Sequence, residues 1–135
     1  MTRIAVALRN TALLSLSLLA VAGAARAAGA PSVGGDPVSG ARQFRQRCAF
    51  CHGLSESRFG PRLGDVHGRR AGSVPGFRYS RALGSLSHTW SDATLDAWLQ
   101  GPRRFAPGVA MAISVDDPRA RADIIAYLRT HPSDR

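Results

Sequence analysis

Apolar residues recur at helical spacing in three parts of the chain. In "PVSGARQFRQRC", Gly40, Ala41, Phe44 and Cys48 fall on one face, which predicts a helix near Val38 to Phe50. A second helix is predicted after Ser91, a good N-cap residue, with Leu95, Trp98 and Leu99 on one side and Gly101-Pro102 as its stop. The third follows Asp116-Asp117-Pro118, an acidic cap with proline in the first turn. It carries an Ala120, Ile124, Tyr127 and Leu128 stripe and ends before Pro132. Each stripe is adequately explained as ordinary helical core. Gly53 to Thr89 shows no regular period, and so long an irregular stretch is foreign to a compact domain unless something else supplies its apolar partner. The fold class expected is all-α, with three main helices and long loops.

The first 27 residues have a different character. Arg3 and Arg9 precede the apolar run "TALLSLSLLAVAG" and the small-residue exit "AARAAGA". That order describes a secretory signal peptide cut after Ala27, with Ala28 or Ala30 as other sites and an uncleaved anchor as the alternative. Residues 28–37 are rich in Gly and Pro and read as a flexible lead-in, leaving a domain over 38–135. Export of this kind places the chain in a periplasm, and nothing later is apolar enough to cross a bilayer. A domain of about 100 residues, in a chain with 7% aromatic content, is small for a self-sufficient core and gains from a cofactor, metal or disulfide.

All 18 basic residues are arginine. Without the leader, 15 Arg face nine acids, a net charge of +6. Such a balance favours anionic partners, although it also serves as a solubilising surface. No nucleic-acid motif is visible.

The candidate chemistry lies in "CAFCH", which holds both cysteines and His52. An exported chain could pair Cys48 with Cys51 as a disulfide or use them as a redox dithiol. Dithiol chemistry of the thioredoxin kind needs a strand before the motif, and here a helix is predicted. A zinc site needs at least three protein ligands placed around the metal, and no second cysteine pair exists. C-x-x-C-H is also the attachment signal for c-type haem, in which each sulfur joins one vinyl group and the histidine binds the iron. The opposite axial position could take Met111, the one methionine beyond the leader, which follows the Pro107-Gly108 turn. His67 and His88 are the rival donors, His131 is expected in solvent, and an open position is a further alternative.

Taken in order, these segments resemble a class I cytochrome c, over nearly all of the exported domain. "GARQFRQRCAFCH" is similar to the family's first helix and attachment site. "GPRLGDVHGRRAG" resembles its Gly-Pro-x-Leu loop, "PGFRYSRAL" its Pro-Gly-x-x-Tyr segment and "HTW" its tryptophan. "LDAWLQGPRRFAPGVAM" resembles the helix and loop that deliver a methionine, and "ADIIAYLRTH" the last helix. The resemblance implies one covalent haem c on Cys48 and Cys51, its iron held by His52 and Met111. It implies that the Pro61 carbonyl receives the other His52 N–H, that Arg69, Tyr79 and Trp90 reach the haem propionates, and that the first and third helices cross at Gly40 with Phe44 on Tyr127. Trp98 and Phe105 stand where many members carry tyrosine, so the hydroxyls that tune the iron in those members are missing.

The function implied is a periplasmic one-electron carrier, monomeric and not inserted in the membrane, with no enzymatic activity of its own. Its partners would be membrane redox complexes or other donors and acceptors, met through a basic face including Arg45, Arg47, Arg70, Arg103 and Arg104. The alternatives are a haem enzyme or gas binder with an open sixth position, and a dithiol-disulfide oxidoreductase.

Overall fold

The structure, a computed structural model, describes residues 34–131. The expected leader at 1–27 and the lead-in up to residue 33 lie outside the described residues, as does Pro132. Helices α1 (Pro37–Arg47), α3 (Asp92–Gln100) and α5 (Pro118–Arg129) form the frame, with single-turn helices α2 (Arg81–Gly84) and α4 (Pro102–Phe105) between them. Among the described residues there is no strand, only two isolated antiparallel bridges, His52–Ser57 and Arg70–Thr89. None of these helices is long and apolar enough to cross a membrane.

Each main helix begins where its sequence supplies a cap. Asp36 accepts from the Val38 and Ser39 amides at α1, and Pro37 takes the first turn. Ser91 and Thr94 cap α3 reciprocally, and Asp117 accepts from the Arg119 amide at α5. Helix α1 stops at Arg47, three residues before the expected end. Its last carbonyl bonds then close a tight turn, with the Cys51 and His52 amides both donating to the Cys48 carbonyl at 3.0 and 2.9 Å. The packed chain also begins earlier than Val38. Gly35, at φ +75°, lies against the Ala122 carbonyl, and the Asp36 amide donates to Asp123 Oδ1 at 2.7 Å.

Helices α1 and α5 cross as expected. A Cβ on Gly40 would sit 2.0 Å from the Asp123 carbonyl oxygen and 2.7 Å from Tyr127 Cβ, so only glycine permits the approach. Phe44 meets Tyr127 with ring centroids 5.4 Å apart. The core gathers Phe44, Val66, Trp90, Leu95, Trp98, Leu99, Val109, Val115, Ile124 and Leu128. The irregular middle is tied down by backbone bonds: Gly68 N–H to Trp90 O, Trp90 N–H to Arg69 O, and Ala71 N–H to His88 O, all at 2.8–3.0 Å.

Candidate functional site

The turn after α1 delivers Cys48, Cys51 and His52 side by side, each half-buried. The cysteines stand as separate thiols. Burial pushes the Cys48 thiol up to about 11, so it is protonated at neutral pH and a poor metal-binding thiolate. His52 is gripped by the loop that follows. Its Nδ1 lies 2.7 Å from the Pro61 carbonyl. A carbonyl only accepts, so Nδ1 carries the proton and Nε2 is left with a free lone pair. Burial pulls the imidazole below its ordinary 6.5, partly offset by the Pro61 bond, which favours the neutral form that a metal requires. A methyl group on Gly60 would come within 2.2 Å of the His52 ring, so glycine is the residue that lets the loop close over it. The clamp is completed by Gly60 N–H to Cys51 O at 2.8 Å and Leu63 N–H to Gly53 O at 2.9 Å.

The methionine arrives from the other side of the sequence. After α4, Gly108 adopts φ +94° and reverses the chain, and buried Val109 anchors it. Met111 then packs, half-buried, on the same core that Cys48, Leu54, Leu63, Leu83 and Phe105 also touch. Trp98 is buried and stacks edge-on with Trp90 at 5.4 Å and with Phe105 at 5.8 Å. The Tyr79 hydroxyl accepts from the Val74 amide at 3.1 Å. Arg69 is turned inward, donating to the carbonyls of Gly64 at 2.8 Å and Arg62 at 2.9 Å and pairing with Asp65. Its pKa is lowered by burial, with Asp65 opposing that.

Two of the rival donors have other polar partners. His67 Nε2 bonds Asp92 Oδ1 at 2.8 Å. His131 is not in free solvent: its Nδ1 bonds the Tyr127 carbonyl at 2.7 Å and its ring lies on Tyr127. His88 packs on Trp90 and Phe105, with Nε2 buried and unpartnered. Among the described residues, no three His, Cys, Asp or Glu side chains gather as a metal site, so a zinc set is not assembled.

Two features escaped the sequence reading. Arg121 is buried at 5% exposure; it donates to Asp96 Oδ1 at 2.7 Å and to the carbonyls of Val115 and Asp116 at 2.9 and 2.8 Å. It straps the segment after Met111 to α3 and α5. Phe50 and Phe59 stack on each other at the surface.

A small helical frame wrapped in glycine-rich loops, with one imidazole nitrogen left free beside two thiols, fits the C-x-x-C-H attachment signal for c-type haem. No protein-family model matches the chain. Cytochrome c2 of Rhodomicrobium vannielii is 42% identical over 100 residues, covering 71% of this chain and 79% of that protein. Cytochrome c of Sesamum indicum is 35% identical over 99 residues, covering 70% and 89%. The solved structure of cytochrome cH from Methylobacterium extorquens superposes with a TM-score of 0.68 at 38% identity, over 71% of this chain and 99% of that one. The chain belongs to the cytochrome c family, with the class I fold and haem c, covalently attached and iron-bearing, as its cofactor. It is a haem-based electron-transfer protein.

Proposed function

We propose that the protein is a periplasmic electron carrier with one haem c, thioether-linked to Cys48 and Cys51, and with His52 and Met111 as the axial ligands. The observation that carries this reading is the His52–Pro61 bond at 2.7 Å, which fixes the tautomer that frees Nε2. Bound in this way, haem supplies one-electron exchange at iron with no vacancy for a substrate. Each thiol would add across one vinyl group, its sulfur to one carbon and its hydrogen to the other, so attachment would need no oxidant. Pro61 then orients the imidazole, and Gly60 lets the loop close on it. Trp98, Phe105, Val109 and Leu83 share a core with Met111 and would keep water from the methionine side. Arg69, Tyr79 and Trp90 are the candidate donors to the propionates; Arg69 is held by Arg62, Gly64 and Asp65, and the Tyr79 hydroxyl by the Val74 amide. The N-terminal arginines and apolar run support export to the periplasm. Exposed Arg45, Arg47, Arg70, Arg103 and Arg104 support meeting anionic surfaces on membrane redox complexes.

Met111→Ala tests the ligand set in haem-loaded protein. The native sixth ligand should be lost, and the reduction potential should fall on the order of 0.1 V, within the roughly 0.8 V range that axial ligands command. An unchanged visible spectrum and potential would remove Met111 from the iron and favour an open sixth position.

A further inference from the structure

Phe50 and Phe59 are 81% and 80% exposed, while every other aromatic side chain among the described residues is buried or half-buried. Their rings stack, with centroids 5.8 Å apart and planes 20° from parallel. They come from two segments of the chain: Phe50 lies between Cys48 and Cys51, and Phe59 lies two residues before Pro61. Those segments are cross-braced. Gly60 N–H donates to Cys51 O and Arg58 N–H to Gly60 O, both at 2.8 Å, and the Arg58 guanidinium donates to the Ala49 carbonyl at 2.9 Å. The pair is therefore held out rigidly, and among the described residues no packing beyond the pair itself accounts for it. A paired, preorganised apolar projection beside a functional site is what a protein surface presents to a binding partner.

We propose that the Phe50–Phe59 pair is the apolar contact point of this carrier, seating in an apolar depression rimmed by carboxylates on its redox partner. The inference rests on the electron-carrier reading. Position supports it, because a partner seated on Phe50 touches the residue between the two haem-bearing cysteines. Charge sets the rim: exposed Arg45 and Arg47 precede Phe50 by five and three residues at the end of α1, and Glu56 is already paired with Arg58. The same charges disfavour a second copy, since like-charged faces would meet. At the rings themselves Arg58 offers no free charge to a lipid phosphate, because its head is spent on Ala49 and Glu56, and a lipid surface is one outcome that the test separates.

The test uses reduced, haem-loaded protein and membrane vesicles from the organism that supplies the gene, with oxygen as the final acceptor and the visible band as readout. Phe50→Ser with Phe59→Ser should leave the spectrum and melting temperature unchanged, since both rings are exposed. It should lower the second-order oxidation rate about tenfold at low and at high salt, the scale of an interface anchor. Arg45→Gln with Arg47→Gln should instead cost rate at low salt and lose that effect once salt screens the charges. Phe50→Leu with Phe59→Leu, which keeps apolar area, should restore most of the rate. An unchanged rate in the serine pair overturns the proposal. So does binding of the wild type to protein-free phosphatidylglycerol vesicles that the serine pair abolishes, or a wild-type dimer that the serine pair dissolves. A wild type that transfers no electrons overturns the carrier reading itself, and the docking proposal with it.

Discussion

At Gly60 the difference between hydrogen and methyl decides whether the loop can close on His52. The 2.2 Å separation from a built Cβ to the ring leaves no room for adjustment except by moving the imidazole or the loop. Gly60→Ala should disturb the Pro61 bond and so the orientation of the free nitrogen. Removing such an orienting contact costs roughly 10–100-fold in metal affinity elsewhere, so the yield of correctly loaded protein should drop by about tenfold or more. The ratio of haem absorbance to polypeptide measures it, and a normal ratio would show that the clamp tolerates the methyl. This contact illustrates what a sequence conveys at the scale of single residues. "CAFCH" is legible because its spacing is local. The Pro61 carbonyl was expected by resemblance alone, since nothing in its own residue type marks it as an acceptor for an imidazole nine positions away. Arg121 was counted only as charge, because its burial depends on where Asp96 and the Val115 carbonyl arrive in space. Replacing Arg121 by Leu should strand those partners and cost about 2–4 kcal/mol, read by thermal or denaturant unfolding.

At the scale of elements, periodicity and caps carried most of the information. Ser91, Gly101-Pro102 and Asp117-Pro118 mark helix ends through chemistry confined to a few residues, and α3 and α5 fall where those signals lie. The end of α1 was less legible, because Cys48 to Phe50 continue the apolar spacing while the chain has already tightened into the turn that presents His52. The α1–α5 crossing gives a direct stability prediction. Gly40→Ala forces a methyl against the Asp123 carbonyl and the Tyr127 Cβ, neither of which is the far end of a flexible side chain. It should destabilise by about 1–3 kcal/mol, which lowers the melting temperature by roughly 4–8 °C per kcal/mol in a domain of this size. Asp92 tests the α3–α5 contact differently. It sits in the first turn of α3, where it bonds Arg129 and His67, and its carboxyl is held below the ordinary 3.8 chiefly by Arg129. A carboxyl with a depressed folded pKa stabilises above its unfolded value and loses that contribution as pH falls through the folded one. Asp92→Asn should therefore cost stability at neutral pH, with the gap closing below 3.8. With 54% of the side chain exposed, the gap should be at most about 1 kcal/mol. A gap independent of pH would mean that the asparagine is felt through packing or capping instead.

For the whole molecule, the long middle segment is the feature that demands explanation. Gly53 to Thr89 contains one single-turn helix and otherwise irregular chain, and its glycines at 68, 72 and 76 hold positive φ. Its leucines Leu54, Leu63, Leu83 and Leu86 are only partly buried, on the rim of the core, while its Val66, Ala71 and Val74 are buried. The sequence announced this as an absence of period, and only the attachment motif said what would supply the missing apolar partner. The cofactor and the loops therefore stabilise each other. Cys48→Ser with Cys51→Ser, which forbids attachment, should uncover more apolar surface than one core truncation does, and single Leu→Ala cavities already cost about 3–5 kcal/mol. The melting temperature should fall by at least roughly 15 °C at 4–8 °C per kcal/mol. The loss should also be uneven. Amides of residues 53–89 should exchange with solvent far sooner than those of α1 and α5, whose crossing is built from protein atoms alone. Hydrogen exchange on the loaded and unloaded chains, compared segment by segment, measures this. Equal protection in both would show that the middle loops are held by their own backbone bonds, such as those from Gly68 and Ala71 to Trp90 and His88, and that haem occupies a frame already complete without it.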